Sequence, residues 1–169
     1  MKIINIYFGT RGLSGLYIKE IERIQNEVFK KVISIISFHS IYKNKKNFVY
    51  VFSDSELSNV LPKKIRLAIR YIELLIAMII SLVKIMIYKP DYVNYSITIY
   101  RFEEYLFLKI VNLLKIKIIL TVHDAILHKN KNIKSKKRLI NRLRILKVCN
   151  NILVHNEFSK IELQKINDN

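Results

Sequence analysis

Short apolar runs rich in β-branched residues recur along this chain, and most stop at a polar or glycine residue. Residues 2–8, 32–38, 48–52, 117–122 and 151–154 are such runs, and 91–96 reads as a further short strand leaving into a loop. Runs of this length with little internal alternation suit strands buried on both faces, and burial of that kind belongs to parallel sheets. Between the first two, residues 16–31 place Leu16, Ile18, Ile21, Ile24, Val28 and Phe29 among Lys19, Glu20, Glu22, Arg23 and Asn26. That spacing predicts a helix with one buried face. Residues 101–114, 129–147 and 157–166 supply further helical segments, with Asn156 placed to cap the last of them. The order β-α-β-β-α-β-α-β-α-β-α predicts an α/β fold with a parallel sheet and right-handed crossovers. At 169 residues the chain suits one domain, 1–169, without an internal repeat or a low-complexity linker.

The longest helical segment opens at Pro62, where a helix start tolerates proline, and runs to Tyr88 before Pro90 ends it. Its polar residues Arg66, Arg70, Glu73, Ser81 and Lys84, with Ala77 in line, form one narrow stripe, and nearly everything else is apolar. The longest stretch without a polar residue is 74–80, short of the roughly 20 residues a membrane span needs. A mostly buried helix is the expectation, and an interfacial helix lying on a bilayer is the alternative.

All three glycines fall inside seven residues, Gly9-Thr10-Arg11-Gly12-Leu13-Ser14-Gly15, between the first strand and the first helix. A flexible turn there lets backbone N–H groups approach an anionic or sugar ligand at a helix N-terminus. The spacing GxxGxxG matches neither the dinucleotide fingerprint nor the phosphate loop of nucleotide triphosphatases. A plain strand-to-helix turn therefore stays open beside a ligand loop in which Gly9, Arg11, Gly12, Ser14 and Gly15 contact substrate. His123-Asp124 follows the 117–122 strand directly, so a titratable pair stands at a strand's carboxyl end, where such sheets bind ligands. A backbone-bonded histidine beside a turn-capping aspartate is the equal alternative.

Other chemistries find little support. Cys149 is the only cysteine, which excludes an intrachain disulfide, points to a reducing compartment and reads as a small buried hydrophobe. The histidines His39, His123, His128 and His155 are spread out with no metal-ligand spacing, and no nucleophile elbow is present. The first residues lack the pattern of a secretory signal. With 30 Lys and Arg against 13 Asp and Glu, the net charge is +17, part of it a Lys-, Ile- and Asn-rich composition. Residues 129–147 carry nine of those cations and no acid. They read as a solvated face or as a patch for lipid headgroups or phosphate. Nucleic-acid recognition is disfavoured, because no RNA-binding motif or zinc module occurs and aromatics do not interleave with the basic cluster.

Four stretches together resemble the N-terminal half of a GT-B glycosyltransferase of the family 4 type, found in cell-surface polysaccharide and lipopolysaccharide synthesis. They are the opening strand with Gly9 to Gly15 and the helix after it, Lys89-Pro90-Asp91-Tyr92-Val93-Asn94, the segment from Lys115 to His123-Asp124, and the segment from Ile152 to Leu163. The resemblance implies a Rossmann-like parallel sheet with helices on both faces. It puts Gly12 and Gly15 at the wall between acceptor and donor phosphate, and His123, with Asp124 as its catalytic partner, beside the transferred sugar. Asn94 stands where the family commonly has histidine. Asn156, a candidate substrate contact, stands where it commonly has serine. The partners implied are a nucleotide sugar, as co-substrate rather than cofactor, and a glycan or lipid-linked acceptor, with no metal. The family holds its donor through a second domain with a Glu-x7-Glu motif, and no two glutamates here are eight apart. The expectation is an acceptor-side half, truncated or completed by a separately encoded donor half, cytoplasmic and peripheral on an anionic inner membrane face. The alternative is a non-catalytic module that binds a membrane surface or a partner.

Overall fold

The computed structural model describes residues 1–8, 14–36, 48–50, 61–96, 100–122, 133–154, 156–157, 159–161 and 163. Along them run β1 (Lys2–Tyr7), α1 (Ser14–Val28), β2 (Lys31–Ile36), β3 (Phe48–Tyr50), α2 (Lys63–Tyr88), β4 (Tyr92–Ser96), α3 (Phe102–Leu113), β5 (Lys117–Val122), α4 (Ile133–Val148) and β6 (Asn151–Val154). Residues 157, 159–161 and 163 are helical as well. The alternation is the predicted one, the paired strands are parallel, and the fold is α/β and Rossmann-like. The chain divides into two compact units, Met1–Asp91 and Tyr92–Asn169.

In the first unit β2 lies between β1 and β3, with Ile3 opposite Val32, Asn5 opposite Ser34 and Ile6 opposite Ile35. Ile3, Ile4, Ile6, Val32, Ile33, Ile35 and Ile36 are all buried, so both sheet faces are covered, as the unbroken apolar runs require. Helix α1 packs on β2, but not with the whole face its spacing predicts. Ile24 and Val28 are 51% and 64% exposed while Glu22 is buried. The cause is the sheet surface beneath, which presents polar Asn5: its Nδ2 donates to Gln25 Oε1 at 2.7 Å, turning the Glu22–Gln25 side of the helix inward.

Helix α2 also departs from expectation. It buries Leu74, Ala77, Met78, Ser81 and Ile85 on one side only, and just 28% of its most apolar stretch is buried. The mostly buried helix is therefore overturned. By length and composition this helix could cross a membrane, yet one side of it is buried and its end is tethered within the unit. Lys89 N donates to Ile85 O at 2.9 Å, Asp91 N to Lys2 O at 3.0 Å, Lys2 N to the Asp91 carboxylate at 2.6 Å, and Lys2 Nζ to Tyr88 O at 3.2 Å.

In the second unit β5 lies between β4 and β6, with Val93 opposite Ile118, Tyr95 opposite Leu120, and Leu120 opposite Ile152. Val93, Tyr95, Ile118, Leu120 and Val122 are buried, and α3 packs against both β5 and α4. Tyr95 and Phe107 bring their rings to 5.7 Å between centroids. Asn150 fixes where β5 begins, since its N–H donates to Ile118 O at 2.9 Å while its Oδ1 accepts from Ile118 N at 2.8 Å.

Because glycine is confined to residues 9–15, the helices end without it. Lys89 after α2 and Lys115 after α3 adopt φ of 45° and 59°, the left-handed conformation usually given to glycine. A side chain with a Cβ costs roughly 1–2 kcal/mol in that region. Lys115→Gly is accordingly expected to stabilise the protein by about 1 kcal/mol, read as a higher urea midpoint at unchanged slope. A lower midpoint would show that Lys115 makes a compensating interaction there.

Candidate functional site

The structure bears unevenly on the residues singled out by sequence. β1 ends at Tyr7, Phe8 is buried, and α1 begins at Ser14, so Ser14 and Gly15 form the first residues of a helix. Gly9, Arg11 and Gly12 lie outside the described residues. β5 ends at Val122, and His123 and Asp124, next in sequence, also lie outside them. Asn156 is exposed, and its Oδ1 accepts from Ser159 N at 2.7 Å while Lys160 N donates to Asn156 O at 3.2 Å. That is the helix cap its position predicts.

Beside the carboxyl ends of β4 and β5 the described residues form a buried polar surface of which sequence reasoning named only Asn94. Ser96 and Thr121 stand opposite each other in register, and Asn94 lies two residues before Ser96 on the same face. All three are buried, and Thr121 Oγ1 donates to Asn94 Oδ1 at 3.0 Å. Strand alternation puts Val93, Tyr95, Ile118 and Leu120 on the opposite face, so one side of this sheet is apolar and the other carries hydroxyl and amide groups around Ile119. Such neutral donors and acceptors suit hydrogen bonding to a hydroxylated ligand. The signal in the sequence was Asn94, named there only as standing where the resembled family commonly has histidine.

On the apolar side sits a buried acid. Glu104 accepts from Arg101 N at 2.7 Å, which caps the start of α3, and from the Tyr95 hydroxyl at 3.2 Å. Burial holds its carboxyl above the ordinary value of 4.5, opposed by its hydrogen bonds to Arg101 and Tyr95. Burial, followed by the neighbouring Glu104, likewise raises the Tyr95 hydroxyl well above its usual range. Cys149 is partly exposed, and burial of its thiol pushes the pKa up to about 12, which leaves it inert as a nucleophile near neutral pH.

Among the described cations of the basic segment, Arg142 is not solvated. It is 1% exposed, with its guanidinium 5.3 Å from the centre of the Tyr100 ring. Among the described residues its Nε and Nη2 have no hydrogen-bond partner, and such donors suit an oxyanion. Tyr100 itself is held at φ 55°, a rare conformation for a bulky residue. Among the described residues no group of three or more His, Cys, Asp or Glu could hold a metal ion.

The fold and this geometry define an α/β, Rossmann-like protein with a polar face at strand ends. No protein-family model matches the chain, and no curated protein matches it.

Two outcomes follow from the buried charges. The folded state binds the Glu104 proton more tightly than the unfolded chain does. Its stabilising contribution is fully present below 4.5 and is lost as pH rises through the raised folded-state value. Glu104→Gln is expected to flatten that loss, seen in urea midpoints at about pH 4 and about pH 8; an unchanged slope would clear Glu104 as its source. Arg142→Met removes a buried charge while keeping much of its bulk, and it is expected to stabilise the protein by about 1–2 kcal/mol. Destabilisation of that size would mean the stack on Tyr100 outweighs the cost of burial.

Proposed function

We propose that the chain is the acceptor-side part of a retaining glycosyltransferase that uses a nucleotide sugar in the synthesis of cell-surface polysaccharide or lipopolysaccharide. The observation that carries the reading is the end of β5. The strand runs Lys117–Val122, and the next residues in sequence are the His123-Asp124 pair of the segment that resembles the family. The buried Asn94, Ser96 and Thr121 support it, because hydroxyl and amide groups beside strand carboxyl ends match a ligand made of hydroxyls.

On this reading residues 9–15 line the acceptor side, and His123 stands beside the sugar being transferred. The donor diphosphate is held by residues outside 1–169, since the sequence has no pair of glutamates eight apart. Stabilising the departing diphosphate is an electrostatic task, so residues 1–169 alone should bind acceptor without turning it over. The test is binding of a polyprenyl-diphosphate-linked sugar to the purified chain, followed by transfer from a radiolabelled nucleotide sugar. The expected result is acceptor binding weakened about ten-fold by His123→Ala at unchanged thermal stability, with no transfer by the chain alone. Robust turnover by the chain alone, or acceptor binding indifferent to His123→Ala, would overturn the reading.

A further inference from the structure

Helix α2 inverts the usual amphipathic order. Ile65, Ile69, Ile72, Ile76, Ile79, Val83 and Met86 follow one another at alternating steps of four and three residues, which places them on one face of a helix. Every one of them is exposed, as is Ile87 beside them, and Ile79 is 61% exposed. The polar residues Arg66, Arg70, Glu73 and Lys84 lie on another side and are only half-exposed, next to buried Ala77 and Ser81. The side of the helix farthest from the protein is thus its most apolar surface. From Ile65 to Ile87 it extends about 33 Å at about 1.5 Å per residue. An apolar surface of this extent, uninterrupted by any charge, marks a contact the protein makes with something else.

We infer that this face is a docking surface for an anionic phospholipid bilayer, with α2 lying flat in the headgroup layer and its isoleucines in the acyl boundary. The charge around the face selects that occupant. Lys63 and Lys64 are exposed at one end and Lys89 at the other, and Glu73 is the helix's only acid. Lysines at the amino end add to the positive pole of the helix dipole, an arrangement that anionic headgroups relieve. A second copy of the chain would bring another net charge of +17 to the same place. One flank of the isoleucine seam is apolar, with Ala68, Leu75 and Leu82, and the other carries Arg66 and Glu73 beside Ile80, so a parallel pair of these helices would find no charge on the apolar flank to match them. A spanning orientation conflicts with the packing, because Leu74, Ala77, Met78, Ser81 and Ile85 are buried on the opposite side and Tyr88 is tied to Lys2. The inference does not rest on the sugar-transfer reading, and His123→Ala leaves it untouched.

The test is co-sedimentation of the full chain with vesicles of phosphatidylcholine alone or with about one third phosphatidylglycerol, at low and high salt. Wild type should pellet with the anionic vesicles and much less with the neutral ones, with the difference shrinking as salt rises. The triple variant Ile72→Glu/Ile76→Glu/Ile79→Glu changes only exposed positions, so its circular dichroism should match wild type while its vesicle affinity falls more than about ten-fold. Lys63→Glu/Lys64→Glu should weaken binding to anionic vesicles and leave neutral ones unaffected. Vesicle binding that the triple variant retains in full would overturn the inference. So would a wild-type dimer that the triple variant abolishes while neither protein binds vesicles, which would assign the face to a second copy.

Discussion

Burial of parallel strands on both faces is the constraint from which the rest of this structure follows. A strand such as Ile3 to Ile6 exposes neither side, so the chain reaches a parallel neighbour by way of a helix, as α1, α3 and α4 each do. That requirement sets the alternation, and it sends each strand's carboxyl end toward the connection that follows. It also limits where polar groups can stand. Asn5 is tolerated because Gln25 meets it, and Asn94 because Thr121 does. An unmet amide at either place would cost roughly 1–3 kcal/mol.

The same constraint explains what sequence could and could not reveal. β5 and β6 have the limits their composition predicts, since Lys117 and Asn151 bound runs that can only be strands. The end of α2 was equally legible from Pro90. The inward faces of the helices were not. In α1 the spacing favours Ile24 and Val28, yet Glu22 is the residue that turns inward, because Asn5 on the sheet beneath reverses the usual preference. Periodicity reports how apolar residues are arranged on a helix, but not which side of it has a neighbour. In α2 that distinction decides everything, because apolar residues surround most of the helix and the protein covers only one side.

The candidate site divides in the same manner. His123-Asp124 and the glycine segment were visible as residue types at particular places in the order, and the structure adds the helix start at Ser14 and the strand end at Val122 on either side. The polar surface of Asn94, Ser96 and Thr121 was hidden, because three polar residues in two strands align only once the register is known. Arg142 was hidden for a similar reason. A cation among nine reads as solvated until the helix packs and folds it against Tyr100. Asn156 shows the reverse case, a residue whose cap position was legible from the sequence alone.

The left-handed lysines have a consequence for motion. A helix that ends on Lys89 or Lys115 holds its last turn against a backbone penalty that unwinding would release. Those two turns are where local opening should start, ahead of the strands that follow them. The strands are held by separate clamps, Asp91 on Lys2 and Asn150 on Ile118, so fraying at a helix end need not propagate into the sheet. Strain and anchorage thus sit side by side, and amide exchange across each junction would fall from fast to slow within a few residues.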